Sequence, residues 1–340
     1  MLSRFGKIEI AKSHNFSGAV NGFQISPYMQ EKMVYAGQSD CYAESQEIVS
    51  KYLLVNVSLT QMQRVTNRYG SLLEAERQTE KPPQGLPQLT PEETVYVEAD
   101  GGMIFTREEG WKEVKVGRIF KESDCLEVGG ERGWIKHSEY DAYLGDCKRF
   151  IWRFEQKLEP YAHLGKRLVF VTDGAIWIKH WKEDAFPDAL HILDWYHAMQ
   201  HMGSFAELYF KEYSVKEKWM AKQESLLYNS EVNKVIDNIK KLLQSCTDSA
   251  TVTNGKQLID YYDSNKNRMD YKYYRTIGAG IIGSGAIEAA QRTVVQKRLK
   301  MSGQRWSKQG AQNVLALRCA NLSEQWNKVI ELITTNAMAA

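Results

Sequence analysis

Residues 94–105 read TVYVEADGGMIF and residues 167–174 read RLVFVTDG. Each is a short run of β-branched and aromatic residues that ends in a carboxylate followed by glycine, a composition that favours a strand and then a tight change of direction. Residues 111–120, WKEVKVGRIF, have the same strand character. Between the second and third runs, from Asp146 to His163, apolar residues recur at helical spacing. Strands, then helix, then strand imply a mixed α/β sheet with a crossover connection. A further short strand running into a helix is expected in ALHILDWYHAMQHM, residues 189–202.

The carboxylates at these strand ends are the first chemical signal. An aspartate capping a turn would account for Asp100 alone, or for Asp173 alone. The repetition of one design at two strand ends points instead to two carboxylates delivered to one edge of a sheet, which is what hard divalent cations with oxygen ligands require. A third carboxylate, Glu288, lies in IGSGAIEAAQRTVVQKRLK, where Gly-Ser-Gly leads into a helix. Glu288 stands four residues past Ser284, so a capping role is the competing explanation. The same helix continues into Arg292, Lys297, Arg298 and Lys300, a basic face suited to phosphates. In LDWYHAMQHM, Asp194, His197 and His201 share a helix face. A zinc site there would lack the glutamate and cysteine partners such sites use, and the favoured reading has Asp194 orienting His197 so that the histidine supports a carboxylate or touches phosphate.

Composition narrows the classes. The 340 residues are 43% hydrophobic and 25% charged, which allows a sizeable core and argues against wholesale disorder. No apolar run approaches the roughly 20 residues of a membrane span, and the opening MLSRFGKIEI lacks the apolar centre of a leader, so a cytoplasmic protein is expected. Five scattered cysteines form no Cys-x-x-Cys pair and read as reduced core residues. Net charge is only +2, yet residues 275–310 hold seven cations (Arg275, Arg292, Lys297, Arg298, Lys300, Arg305, Lys308) against Glu288 alone, a local +6.

Residues 1–78 open with FGKIEIAKSH, a strand-like stretch, and continue in helical patterns from about Ser26 to Gln78. Within them, Ser58 caps a segment that puts Met62, Val65, Leu72 and Leu73 near one face. This segment suits either the second helix of a helix-turn-helix that reads DNA or a plain amphipathic helix in a bundle. The proline-rich stretch 79–93 reads as a linker. Residues 94–197 form the first part of an α/β core, 198–275 a helical insertion, and 276–340 the return to the core.

Four blocks carry a family resemblance: VEADGG with GWKEVKVGRIF, VTDGAIWI, the Asp-x-x-His of LDWYH, and GSGAIEAAQRTVVQKRLKMSGQRWSKQGAQNVLALR. In this order they resemble insertion-sequence transposases of the Asp-Asp-Glu class, close to the Kra-type group and more distantly similar to Mutator-type transposases, over roughly residues 94–326. The resemblance implies a ribonuclease-H-like mixed-sheet core interrupted by an all-helical insertion and preceded by a mainly helical N-terminal region. It also implies Asp100, Asp173 and Glu288 as a catalytic triad holding two Mg2+ ions, with Mn2+ able to substitute. Spacings of 73 and 115 residues between successive members leave room for the insertion. Double-stranded DNA, as element ends and target, is the implied partner, bound by a homodimer or higher oligomer. Arg292, Lys297, Arg298, Lys300, Arg305, Trp306 and Lys308 are the implied DNA-contacting residues, with core packing an equal explanation for Trp306. Members of the group commonly carry more sequence ahead of the first strand, including a cysteine-bearing region, so this chain reads as a shortened copy or a fragment. The competing functions are a ribonuclease-H-like nuclease or resolvase without strand transfer, and a catalytically silent, transposase-derived DNA-binding protein.

Overall fold

The computed structural model describes residues 2–3, 6–7, 22–79, 89–128 and 132–338. Strands β1 (Leu2–Ser3) and β2 (Gly6–Lys7) pair with each other. The rest of the expected N-terminal strand, and most of the 79–93 linker, lie outside the described residues.

Three helices follow: α1 (Pro27–Ser39), α2 (Tyr42–Leu53) and α3 (Leu59–Arg77). Ser58 starts α3 with a reciprocal capping box, its hydroxyl accepting from the Gln61 N–H at 3.2 Å while the Gln61 side chain accepts from the Ser58 N–H at 3.0 Å. Met62, Val65, Tyr69 and Leu73 bury the resulting apolar stripe, and Leu72 lies at its edge.

The central sheet has the order β7-β4-β3-β8-β9, built from β3 (Val95–Thr106), β4 (Gly110–Lys121), β7 (Glu139–Leu144), β8 (Leu168–Thr172) and β9 (Leu190–Leu193). β4 pairs antiparallel with β3 and with β7, whereas β8 lies parallel to β3 and β9 parallel to β8. A small hairpin, β5 (Cys125–Val128) with β6 (Arg132–Ile135), interrupts the path from β4 to β7. Neither this hairpin nor β7 was expected from the apolar pattern. The crossover to β8 runs through α4 (Cys147–Leu158) and a 3-10 segment, Glu159–Arg167, which begins inside the stretch read as helical and continues past His163 to the strand. α4 and α5 (Ile176–Ala185) cover one sheet face with an aromatic core of Phe150, Phe154, Phe170 and Trp181.

The helical insertion comprises α6 (Trp195–Tyr209), α7 (Tyr213–Tyr228), α8 (Val232–Gln244), α9 (Ser249–Asn265) and α10 (Tyr271–Tyr274). It starts earlier than expected, because α6 runs unbroken through the 197/198 boundary. The chain returns through α11 (Gly285–Ala290), a π-helical turn at Gln291–Gln296, α12 (Lys297–Leu299), α13 (Lys308–Leu322) and α14 (Trp326–Met338).

α13 is the pivot of the fold. Every residue from Gly310 to Ala320 is buried, so this helix has two apolar faces rather than one. Ala311, Val314, Leu315 and Cys319 pack toward the sheet, while Ala316, Leu317 and Ala320 pack against the N-terminal helices and α14. The expected separate units, 1–78 and 276–340, therefore share one core. A buried polar network stitches the same seam. Arg153 of α4 bonds Glu74 of α3 at 2.5 Å and Asp141 of β7 at 3.0 Å, Arg77 also pairs with Asp141, and Gln312 of α13 donates to Glu74 at 3.0 Å. Burial works against the charge of Asp141, but Arg153 and Arg77 outweigh it and hold its carboxyl below the usual range. All five cysteines are free; only Cys319 is a core residue, and the other four are partly exposed. No helix among the described residues is long and apolar enough to cross a membrane.

Candidate active site

β8 pairs with β3 only over Val95–Glu98, so β8 ends level with the middle of the longer strand. This geometry brings Asp173, just past β8, toward Asp100, two residues past the last paired position. Asp100 is partly buried and its pKa is raised, first by burial and then by the charge of Asp173. The Gly101 N–H donates to Asp100 Oδ1 at 2.7 Å, and the Ala175 N–H donates to Asp173 Oδ1 at 2.9 Å. Both carboxylates are thus fixed by backbone amides. The Tyr261 hydroxyl of the insertion donates to the Asp173 carbonyl at 3.1 Å.

Asp194 sits at the start of α6, fully buried. Its Oδ1 accepts from the Tyr196 and Ser284 N–H groups, both at 3.0 Å, and its Oδ2 accepts from the Ser284 hydroxyl at 2.5 Å and from His197 Nδ1. Burial opposes its ionisation, but these hydrogen bonds prevail and lower its pKa. His197 responds in the opposite sense. Its bond to Asp194 raises its pKa, and the nearby charges of Asp173 and Asp100 reinforce the cationic form. His201 is lowered by burial and by His197, and its ring lies 4.4 Å from that of Tyr261.

Asp194 also holds the third acidic residue in place. Ser284 gives its hydroxyl to Asp194 and makes no side-chain cap to its own helix, which removes the capping-box explanation of Glu288. The Trp195 N–H donates to Ile282 O at 2.9 Å, and Arg118 of β4 donates to Ala286 O at 2.7 Å, so the Gly-Ser-Gly turn is pinned from two sides. Gly283 permits it, since a Cβ there would lie 2.5 Å from the Tyr196 ring. One turn beyond Glu288, Gln291 lies over Gly102, where a Cβ would come within 2.5 Å of its amide oxygen. The Glu288 helix therefore crosses the face of β3 that carries Glu98, Asp100 and Gly102.

Glu98 was not apparent from sequence as a site residue. It is 0% exposed, among the described residues neither oxygen meets a donor at full hydrogen-bonding geometry, and its pKa is pushed up to about 8 by burial, with Asp194 and Glu288 adding to the effect and Arg118 and the Ile287 backbone opposing it. Its position two residues before Asp100 puts it on the same strand face, the one sequence signal that could have found it. Glu288 itself is exposed. Among the described residues no three His, Cys, Asp or Glu side chains are close enough together to hold a metal ion as they stand. The donor chemistry nonetheless fits a hard cation: two aspartates with all-oxygen ligands repel one another, and a glutamate stands on the adjoining helix.

The basic segment divides. Arg292, Lys297, Lys300, Arg305 and Lys308 are exposed. Arg298, expected to contact phosphate, is 1% exposed; it donates to Gly37 O at 3.2 Å and stacks between Tyr42 and Trp306. It is a structural residue, because its guanidinium is buried in the joint between α12 and the N-terminal helices. Trp306 is 8% exposed and donates to Leu299 O at 3.1 Å, so core packing accounts for it. Lys308 is paired with Glu109. The π turn has a dedicated partner: Arg318 donates to Val294 O at 2.8 Å, to Thr293 O, and across to Gln38 O at 2.7 Å.

No curated protein matches this chain. Residues 21–332 match the Uncharacterised protein family (UPF0236), and on that span the chain belongs to this family.

Proposed function

We propose that this protein is a DNA transposase of the Asp-Asp-Glu class, which cleaves phosphodiester bonds at element ends and joins them to target DNA. The observation that carries this reading is the convergence of Asp100 and Asp173 at one sheet edge, with the Glu288 helix crossing the same face. The strand order, three antiparallel strands followed by two parallel ones, supports a ribonuclease-H-like core, and the helical insertion falls between the second and third acidic residues as the family resemblance implies.

Asp100, Asp173 and Glu288 would hold Mg2+, with Mn2+ as a substitute. When bound, two such ions neutralise charge on the phosphoryl group and on the attacking and leaving oxygens. The protein's own residues do the rest. Backbone amides keep the aspartates in their rotamers, and Asp194 fixes both His197 and the turn that presents Glu288. In its protonated form, which the Asp194 hydrogen bond favours, His197 adds positive charge where a phosphate must approach two carboxylates. Exposed Arg292, Lys297 and Lys300 hold the DNA backbone without reading bases. Hydrolysis and joining use one site with different attackers, water in the first and a DNA 3′-hydroxyl in the second, and no covalent enzyme intermediate is required. Double-stranded DNA is the partner, the working form is a dimer or larger assembly on DNA, and the setting is the cytoplasm.

The test is incubation of the full chain with Mg2+ and DNA that carries the element's ends, followed by gel analysis of cleaved and joined products. Asp100→Ala, Asp173→Ala and Glu288→Ala should each abolish cleavage while DNA binding persists. Near-normal cutting by any one of them removes that residue from the site. Cutting without joining would favour a nuclease instead.

A further inference from the structure

Beyond the sheet, β3 and β4 continue as a two-stranded arm. β8 leaves β3 after Glu98 and β7 leaves β4 before Val114, so residues 103–113 project past their neighbours. The arm's two faces differ. Ile104 and Thr106 are fully buried against the π turn and the segment before α13, and the Thr106–Trp306 bridge fastens that side. On the other face Met103 is 42% exposed, Trp111 is 59% exposed, and the half-buried Phe105 stands directly opposite Trp111 with ring centroids 5.6 Å apart, edge to face.

Charge at the arm's tip is one-sided. Glu109 is occupied by Lys112 and Lys308, and Glu108 accepts the Lys308 N–H at 3.2 Å. Glu113, across from Met103, is paired with Lys115 at 2.5 Å. Arg107 and Arg305 have no carboxylate partner among the described residues. The Arg107 Nε donates to Arg305 O at 3.1 Å, and the Arg305 guanidinium lies 5.8 Å from the centre of the Phe105 ring. The result is an exposed platform of π faces and thioether, edged by two unpaired guanidinium groups, on the strand that carries Asp100.

We propose that this face of the arm binds single-stranded DNA, with bases stacked on Trp111, Phe105 and Met103 and phosphates held by Arg107 and Arg305. The inference rests on the transposase reading above and extends it by giving an unpaired strand a place beside the site. Aromatic platforms take any base because every base has a π face, and guanidinium groups supply the backbone charge. Asp100 and Phe105 lie five residues apart along one strand, about 17 Å, so a few unpaired nucleotides reach from the candidate site round the arm's edge to the platform.

The experiment compares binding of a blunt duplex with the same duplex carrying a single-stranded tail, by fluorescence anisotropy, using the full chain without divalent metal. Trp111→Ala should weaken binding of the tailed DNA about tenfold, the loss of roughly one stacked base, and leave the blunt duplex unchanged. Trp111→Phe should restore most of the loss. Arg305→Ala should lower the salt slope for the tailed DNA by about 0.7 more than for the blunt one. Unchanged melting temperatures check the fold. Equal weakening of both DNAs by Trp111→Ala, no weakening of either, or a changed oligomeric state in place of changed binding would each overturn the proposal, the last by making the arm a contact between copies. Cleavage with Mg2+ is measured in parallel. Failure of the unaltered protein to cut defeats the transposase reading, whereas normal cutting with a tail preference indifferent to Trp111 defeats this inference alone.

Discussion

His191 offers a sharp test of how the insertion docks on the sheet. It lies on β9, 8% exposed, where Nε2 is 2.8 Å from the Thr172 hydroxyl and 3.0 Å from the Arg268 guanidinium in the 3-10 turn that follows α9. Two donors converging on one ring nitrogen require it to be unprotonated. Burial and then Arg268 push the pKa down from 6.5 to about 2. A histidine depressed in the folded state stabilises nothing by titration at high pH and costs stability as pH falls below its unfolded value, because only the unfolded chain takes up the proton. Between pH 7.5 and pH 5 that difference amounts to about 2 kcal/mol. His191→Asn keeps an acceptor for Thr172 and cannot titrate. Urea unfolding followed by far-ultraviolet circular dichroism should therefore show the gap between wild type and variant shifting by about 2 kcal/mol in the variant's favour over this range. Every other titrating group, including His197 with its opposite shift, cancels in the comparison. Parallel pH dependences for the two proteins would refute a buried neutral His191 bonded to Arg268.

Arg298→Ala should lower the melting temperature and leave the salt dependence of DNA binding unchanged, whereas Lys297→Ala should keep stability and lower the salt slope for duplex DNA by roughly 0.9; salt titrations of both variants decide. Arg153→Ala leaves Glu74 and Asp141 buried without their shared partner and should cost about 3–5 kcal/mol in urea unfolding; a loss under about 1 kcal/mol would mean the network is wetter than its burial indicates. On the transposase reading, Mg2+ and Mn2+ should support cleavage while Ca2+ supports binding without efficient chemistry; full activity in a chelator would remove the metal from the mechanism.

The strands that carry Asp100 and Asp173 were legible because a β-branched and aromatic run ending at a carboxylate and glycine is a local property, and so was the Ser58 cap of α3. β7 was not. Its sequence, EYDAYL, hides a buried Asp141 whose burial makes sense only beside Arg77 and Arg153 from other elements. Arg298 failed for the same reason, since its charge pattern matches Lys297 and Lys300 while its partner, Gly37 O, lies 261 residues away in the chain. Asp194 could be paired with His197 from spacing alone, but not with Ser284, 90 residues on. What sequence periodicity cannot report is which polar side chains a distant backbone will claim.

The two-sided burial of α13 has a consequence for biosynthesis. A ribosome delivers α1 to α3 long before α13, so Met33, Val65 and Leu73 wait for their covering surface until residues 308–322 have left the exit tunnel. The sheet waits too, because Val114 and Ala142 pack in the same cluster as Val314 and Leu315. Neither half can close until this helix has emerged. A message cut short before this helix yields a polypeptide with two open apolar surfaces, a substrate for chaperones and proteases rather than a partial enzyme.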